Sequence, residues 1–390
     1  MNILVAFDKF KDSMSAARAC DAAARGIVSR LGDEKHTIVH APLTDGGEGF
    51  CPILVNAVDG YIEYHTVCGP LGHELEAPLG WVDAAKLPKG VQSLQLPAGG
   101  KLAIIEMASV AGLEQVAHSE RHPKYCTTRG VGDLIRIATA EGAAAILIGI
   151  GGSATSDLGL GALEALGLSF CKKNDQTIEQ LTPAQWEDVI AIRGELDLSI
   201  PPIFIACDVN NPLLGPNGAA AVYGPQKGLK PGEIEPFDTQ AKELAEALCH
   251  FFNVPPEAVD IAGSGAAGGI GFGLKVACGA EYVAGFELVS NWLDLGAKMS
   301  ACDLVLSGEG KLDASSLNGK GPLALAAAAH ASSKPCRLYG GAVMPQVNAF
   351  VAEHFDNCEV FTITPSGTEL LQALADGSKN LETSVSQTIK

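Results

Sequence analysis

The chain has 390 residues, of which 47% are hydrophobic and 18% charged. That length suggests roughly two or three domains, and the composition excludes a mainly disordered chain. Its 27 basic and 45 acidic residues leave a formal net charge of −18, which argues against nucleic-acid partners and against binding to anionic membrane surfaces, so a phosphate-bearing ligand must be held by local donors or a metal ion.

The first element is the strand "NILVAF", followed by the polar loop "DKFKDSMSA" and an alanine-rich amphipathic helix to about Leu31. "HTIVHAP" reads as a second strand, "LTDGGEG" as its loop and "FCPILVNAV" as a helix. Strand, loop and helix in repetition predict a parallel sheet with functional residues at the C-terminal ends of its strands. From Gly60 to about Gly112 the style changes to alternating segments, "YIEYHTV" and "KLAIIEM", between Gly/Pro turns; these read as hairpin or meander strands.

A helix near Gly130 to Glu141 leads to the apolar run "AAAILI" and the loop "GIGGSATSDLGLG". Glycines there let backbone amides approach a ligand closely. Ser153, Thr155, Ser156 or Asp157 is expected to cap the next helix, whose start favours an anion. Next come "IFIACDVNNP", the acidic helix "GEIEPFDTQAKELAEALCHFF" and the small-residue loop "GSGAAGGIGFG". The last hundred or so residues return to the first style, with "DLVLSGEGKLDASS", the helix "PLALAAAAHASS" and the strands "PCRLYGG" and "CEVFTITP".

We therefore expect two α/β domains. The first is a discontinuous parallel α/β domain, residues 1–62 plus 290–390, and residues 63–289 are inserted into it. The 11 cysteines lack a CxxC or regular spacing, which suggests reduced thiols, with Cys20, Cys207 and Cys278 packed rather than ligating. The opening "MNILVAFD" has no signal-peptide pattern and the apolar runs are too short for a bilayer, so a soluble cytoplasmic protein is expected.

Four further loops come after predicted strands and carry chemistry-bearing side chains. Asp8, Lys9, Lys11 and Ser13 can grip a phosphate or carboxylate, or simply form a charged surface with an N-cap. Asp45 and Glu48 flank a glycine turn and suit Mg²⁺ or a base as well as a structural DG turn. Asp208 comes directly after a very apolar strand, where a carboxylate is expensive unless it lies at the sheet edge. Glu309, Lys311 and Asp313 fall in one glycine-hinged turn, two carboxylates and a cation of the kind phosphoryl transfer needs. Histidines form no HExxH or Cys/His cluster, and neither a GxSxG elbow nor a Walker loop is present.

Taken together, "FDKFKDSMSA", "PLTDGGEGF", "TTRGVGDLI", "GIGGSATSDLGLGALEALG", "CDVNNPLLGPNGAAAVYGPQKG", "GSGAAGGIGFGLKVACGAE" and "DLVLSGEGKLDASSLNGKGP" resemble the bacterial type of glycerate 2-kinase. The matching stretches cover about the first 340 residues, and the tail from about Val347 is divergent. The resemblance implies an active site between two α/β domains, Mg²⁺-dependent transfer of the ATP γ-phosphoryl, and D-glycerate converted to 2-phospho-D-glycerate.

On the matched loops, the expected catalytic set is Asp8, Lys9, Lys11, Asp45, Asp208, Glu309 and Lys311. The nucleotide would meet Gly46, Gly47, Gly151, Gly152, Ser153, Thr155, Gly265, Gly268, Gly308 and Gly310. Mg²⁺ would be held among Asp45, Glu48, Asp208, Glu309 and Asp313. The sequence departs from the family pattern at Phe7 in place of proline and Asp12 in place of glycine. Ser156 and Leu158 replace asparagine and glycine, Lys311 replaces arginine, and Ser315 replaces glutamine. Another small-molecule kinase and a non-catalytic sensor of a phosphorylated metabolite are the alternative readings. Assembly as a homo-oligomer is left open.

Overall fold

The computed structural model describes residues 1–32, 36–92, 96–196, 199–314, 316–318 and 321–389. Contacts divide the chain into two compact units, Met1–Asp45 with Val289–Lys390, and Gly46–Leu288.

The first unit is built on a five-stranded sheet in the order Cys358–Thr362, Cys336–Val343, Leu304–Leu312, Asn2–Phe7 and Thr37–His40. Every pairing is parallel, so all C-terminal ends lie along one edge. Both faces are covered by helices, as buried apolar runs such as Ile3 to Phe7 require. Helix Ala16–Leu31 starts on the N-cap Ser15, whose side chain accepts the Arg18 amide at 3.3 Å. Gly26 on its buried side lets the C-terminal helix Gly377–Thr388 pack closely. A Cβ on Gly26 would stand 2.5 Å from the Glu382 carbonyl oxygen. Leu381 and Val385 of that helix are wholly buried in the unit's core, each contributing about 1.5–3 kcal/mol of burial.

The second unit carries a six-stranded mixed sheet in the order Glu281–Val283, Ile203–Ala206, Ala145–Gly149, Lys101–Glu106, Glu74–Asp83 and Tyr61–Cys68. The first four strands are parallel, and the last two form the expected hairpin and meander. A separate antiparallel pair joins Leu168–Cys171 to Ala191–Gly194. The unit's large core collects Ile146 and Ile148, on one face of Ala145–Gly149, together with helices Arg129–Ala140, Ile234–Phe251 and Ile270–Cys278.

The α/β class and the parallel sheets agree with the sequence reading. The first division falls before helix Phe50–Ala57, whereas the pattern change at Gly60 points to a boundary after it. Tertiary packing explains the difference: that helix lies on strands Glu74–Asp83 and Lys101–Glu106, and Glu106 accepts its Cys51 amide at 3.0 Å. No helix among the described residues is long and apolar enough to cross a membrane.

Candidate active site

In the first unit, strand register decides which side chains meet. Phe7 pairs with Gly308, so the next residues along each strand, Asp8 and Glu309, emerge side by side at the C-terminal edge. The Asp8 amide donates to the Gly308 carbonyl at 2.9 Å, and the Asp8 carboxylate accepts the Lys9 amide at 2.6 Å. Asp45, exposed on the loop after Thr37–His40, adds a third carboxylate. Burial pushes the Asp8 carboxyl up to about 8, helped by repulsion from Asp45 and then Glu309, while the Lys9 amide and ammonium oppose the rise. Glu309 is also pushed above the usual carboxylate range, by burial and then by Asp313 and Asp45, against a hydrogen bond from Ser316 Oγ at 2.6 Å.

The segment "SGEGKLDASS" is not the turn that its glycines suggest. The strand continues through Leu312, pairing Glu309 with Gly340 and Lys311 with Ala342. Small residues make that continuation sterically feasible: a Cβ on Gly341 would stand 2.5 Å from the Gly310 carbonyl, and one on Gly308 only 1.9 Å from that of Tyr339. Glu309 and Lys311 thus lie two apart on one face of a strand. Lys311 Nζ reaches Asp313 at 3.2 Å, and the Asp313 amide donates to Ser316 Oγ at 3.1 Å. Ser316, absent from the sequence-derived set, is therefore the hydroxyl that orders both acidic residues; Ser315 lies outside the described residues. The loop Phe10–Met14 packs on Gly310, whose added Cβ would stand 3.0 Å from the Lys11 amide, and Ser13 Oγ donates to the Leu374 carbonyl at 2.6 Å. Lys9 is half-buried and Lys11 exposed beside this cluster.

The second unit gathers glycines. Glu106, Gly149 and Ala206 end three neighbouring parallel strands at one edge. Gly46, at φ 94°, accepts the Gly151 amide at 2.9 Å, and a Cβ on Gly151 would stand 2.7 Å from Gly47 Cα. One on Gly152 would meet Glu48 Oε1 at 2.6 Å. The two glycine loops "TDGGEG" and "GIGGSAT" therefore lie backbone against backbone, an approach only residues without Cβ permit. Gly268 does the same for the loop "GSGAAGG": its Cβ would stand 2.2 Å from the Thr155 carbonyl. A Cβ on Gly265 would stand 2.1 Å from the Pro212 carbonyl.

The helix after "GIGGSATSD" is not the anion site expected of it. Helix Leu160–Ala165 has six residues, and Asp157 already accepts the Gly159 and Gly161 amides at 3.2 Å each. The same carboxylate takes the Thr128 amide and hydroxyl at 2.8 Å each, which makes Asp157 and Thr128 of "TTRG" a buried structural clasp. Within the loop itself, the Gly151 and Ala154 amides are bonded to the Gly46 and Ala111 carbonyls. Behind the loop lies Lys227, 1% exposed, donating to Ser153 Oγ at 2.9 Å and to the Thr155 carbonyl at 2.5 Å. Thr155 Oγ1 and Ser156 Oγ are buried without a hydrogen-bond partner among the described residues. Asp208 Oδ2 accepts the Phe286 amide at 2.9 Å.

The profile of the Glycerate kinase family matches residues 3–390. The chain belongs to that family. It is 35% identical to "Glycerate 2-kinase" of Escherichia coli K12 across 94% of this chain and 92% of that one. Identity to "Glycerate kinase" of Bacillus subtilis 168 is 34%, over 98% and 95%. A crystal structure assigned to glycerate kinase 2 of Salmonella typhimurium LT2 superposes with a TM-score of 0.73 at 36% identity, covering 99% of this chain and 96% of that one. The family match thus continues beyond Val347, where recognisable motifs stop. The C-terminal segment serves in packing, with Leu381 and Val385 in the core rather than in loops at an edge.

Two departures from the family pattern gain a physical meaning. Asp12 and Leu158, both at positions where that pattern has glycine, adopt φ 60° and φ 59°. Exposed Asp12 belongs to a residue type that tolerates the left-handed region, whereas Leu158 does not and is 2% exposed in the core. This family member thus accepts about 1–2 kcal/mol of backbone strain at Leu158 against the larger burial of its side chain.

Proposed function

We propose that this family member transfers the γ-phosphoryl group of ATP to the 2-hydroxyl of D-glycerate, giving 2-phospho-D-glycerate and ADP. The observation that carries the reading is the Asp8, Asp45, Glu309 and Asp313 cluster beside Lys9, Lys11 and Lys311 at one sheet edge. Its carboxylates repel one another enough to help raise Asp8 and Glu309, and oxygen donors are the type a hard divalent cation takes, although these are not drawn together to ligating distance. Asp45, Glu309 and Asp313 would hold Mg²⁺, which when bound neutralises charge on the transferred group.

In this reading Asp8 accepts the substrate hydroxyl proton, and Lys9 and Lys11 bind the glycerate carboxylate or the phosphoryl oxygens. Lys311 offers a point charge rather than a planar fork, and Asp313 holds it in place. Ser316 keeps Glu309 oriented. The loop Gly151–Thr155, backed by Gly46 and Gly47, presents backbone amides to nucleotide phosphates. The 2-position is supported by likeness to the Escherichia coli relative named for it.

Purified protein incubated with D-glycerate, ATP and Mg²⁺ should release ADP and yield a product whose phosphorus NMR spectrum is that of 2-phosphoglycerate. Formation of 3-phosphoglycerate would overturn the position of transfer. No phosphorylated product, with or without Mg²⁺, would overturn the kinase reading.

A further inference from the structure

Lys227 is a buried cation that the proposed mechanism leaves unused. Its side chain is among the largest fully buried ones, and its ammonium faces two acceptors on one loop, Ser153 Oγ and the Thr155 carbonyl. The other titratable groups acting on it are Cys126 and Asp157. Cys126 is a neutral thiol pushed up to about 11 by burial. Asp157 accepts from Thr128 N and Oγ1 and from the Gly159 and Gly161 amides, so its bonds run to other groups. Lys227 is accordingly an amino group held in the protein interior by two neutral oxygens.

We infer that Lys227 is a positioning residue that couples occupancy of the loop Gly151–Thr155 by an anion to proton uptake. The inference rests on the reading that this loop holds the nucleotide phosphates. Without an anion, burial favours the neutral amine, and the group sits at about 7 rather than at the ordinary lysine value. A polyphosphate at the loop adds negative charge in front of the ammonium and favours the protonated form. The protonated form in turn donates to Ser153 and Thr155 and fixes the backbone whose amides face the anion. By linkage, anion affinity must then fall as pH rises above about 7, because binding takes up a proton that becomes scarcer.

The test is calorimetric titration with the magnesium complex of a non-hydrolysable ATP analogue at pH 8, in two buffers of different ionisation enthalpy. Wild type should take up a substantial fraction of a proton per ligand bound. Lys227→Arg, permanently charged, should bind within a few-fold of wild type with no uptake assignable to this position. Lys227→Met should bind about tenfold more weakly, also without uptake. As a second readout, the affinity of wild type should decline between pH 7 and 9 relative to that of Lys227→Arg, in which Asp8 titrates as it does in wild type, a contrast that survives if Lys227→Met fails to fold.

Uptake in Lys227→Arg equal to that of wild type overturns the coupling. A wild type that binds the analogue with uptake but does not phosphorylate glycerate retains the coupling and loses the kinase reading. A wild type that does not bind the analogue overturns both.

Discussion

The two units present the loops assigned a role above at the same kind of place, the C-terminal edge of parallel strands, yet they use charge in opposite ways. In the first unit Asp8, Asp45, Glu309 and Asp313 sit half-buried or exposed and repel one another. In the second, Asp157 and Lys227 are buried and bonded to backbone and hydroxyl groups, and the glycines at the edge are packed backbone to backbone. Charge in the first unit is mutually repulsive, the condition of groups that act on a ligand. Charge in the second shapes a backbone. Substitutions at the two edges should therefore fail differently, one set losing chemistry and the other losing structure or ligand affinity.

The largest separation is expected from Glu309→Gln. It keeps the shape that Ser316 bonds to but removes a carboxylate, so kcat for glycerate phosphorylation should fall about 10²–10⁴-fold with little change in thermal stability. A steady-state assay beside a melting curve measures both. Near wild-type turnover would remove Glu309 from the reaction and collapse the contrast between the edges.

Gly268→Ala probes the other edge. The new methyl would stand 2.2 Å from the Thr155 carbonyl at a residue with φ 71°, so backbone must move. A stability loss of about 3 kcal/mol is expected, read by urea unfolding. Full stability retained would mean that the loops are not locked together as their glycines imply.

The same replacement on the two units, Leu158→Gly and Asp12→Gly, sharpens the comparison further. Both relieve a positive φ. At Leu158 the lost burial outweighs that relief, and we expect destabilisation of about 2 kcal/mol. At exposed Asp12 there is no burial to lose, and the change should stay within about 0.5 kcal/mol. Equal effects at both sites would contradict the packing role of Leu158.

These contrasts also mark how far local sequence pattern reaches. Apolar runs such as "NILVAF" and "AAAILI", each leading into a loop rich in Asp or Gly, make the parallel strands and the loops at their C-terminal edges legible, since both arise from local pattern. Helix Phe50–Ala57 reads as part of the first unit because chain order places it there, whereas the surface it buries belongs to the second sheet. Glu309 and Lys311 read as a turn because Gly308 and Gly310 signal one locally; Gly340 and Gly341 on the neighbouring strand keep the segment extended. Lys227 carries no local signal. A lysine in the polar-looking "GPQKG" reads as surface, and only the depth of the fold reveals an ammonium in the interior.

One more contrast bears on the claim that the first edge is strained by its own charges. The Asp8 carboxyl sits at about 8 in the native chain, against an ordinary value of 3.8. Between those values the native state keeps a proton that the unfolded chain has released, so rising pH lowers stability across that window and no further above it. Asp8→Asn cannot ionise and escapes this loss. In buffer containing a chelator, the variant should match wild type near pH 4 and exceed it increasingly up to about pH 8 to 9. Full conversion of the shift would give several kcal/mol, but Asp8 is only half-buried and Asp45 is exposed, so solvent screening reduces the expected gain to about 1–2 kcal/mol. Adding Mg²⁺ should shrink the gain, because a cation held by Asp45, Glu309 and Asp313 offsets the repulsion that penalises ionised Asp8 in wild type. A gain that is flat with pH would place the benefit in packing rather than charge. A gain unaffected by Mg²⁺ would separate Asp8 from the cation-binding cluster.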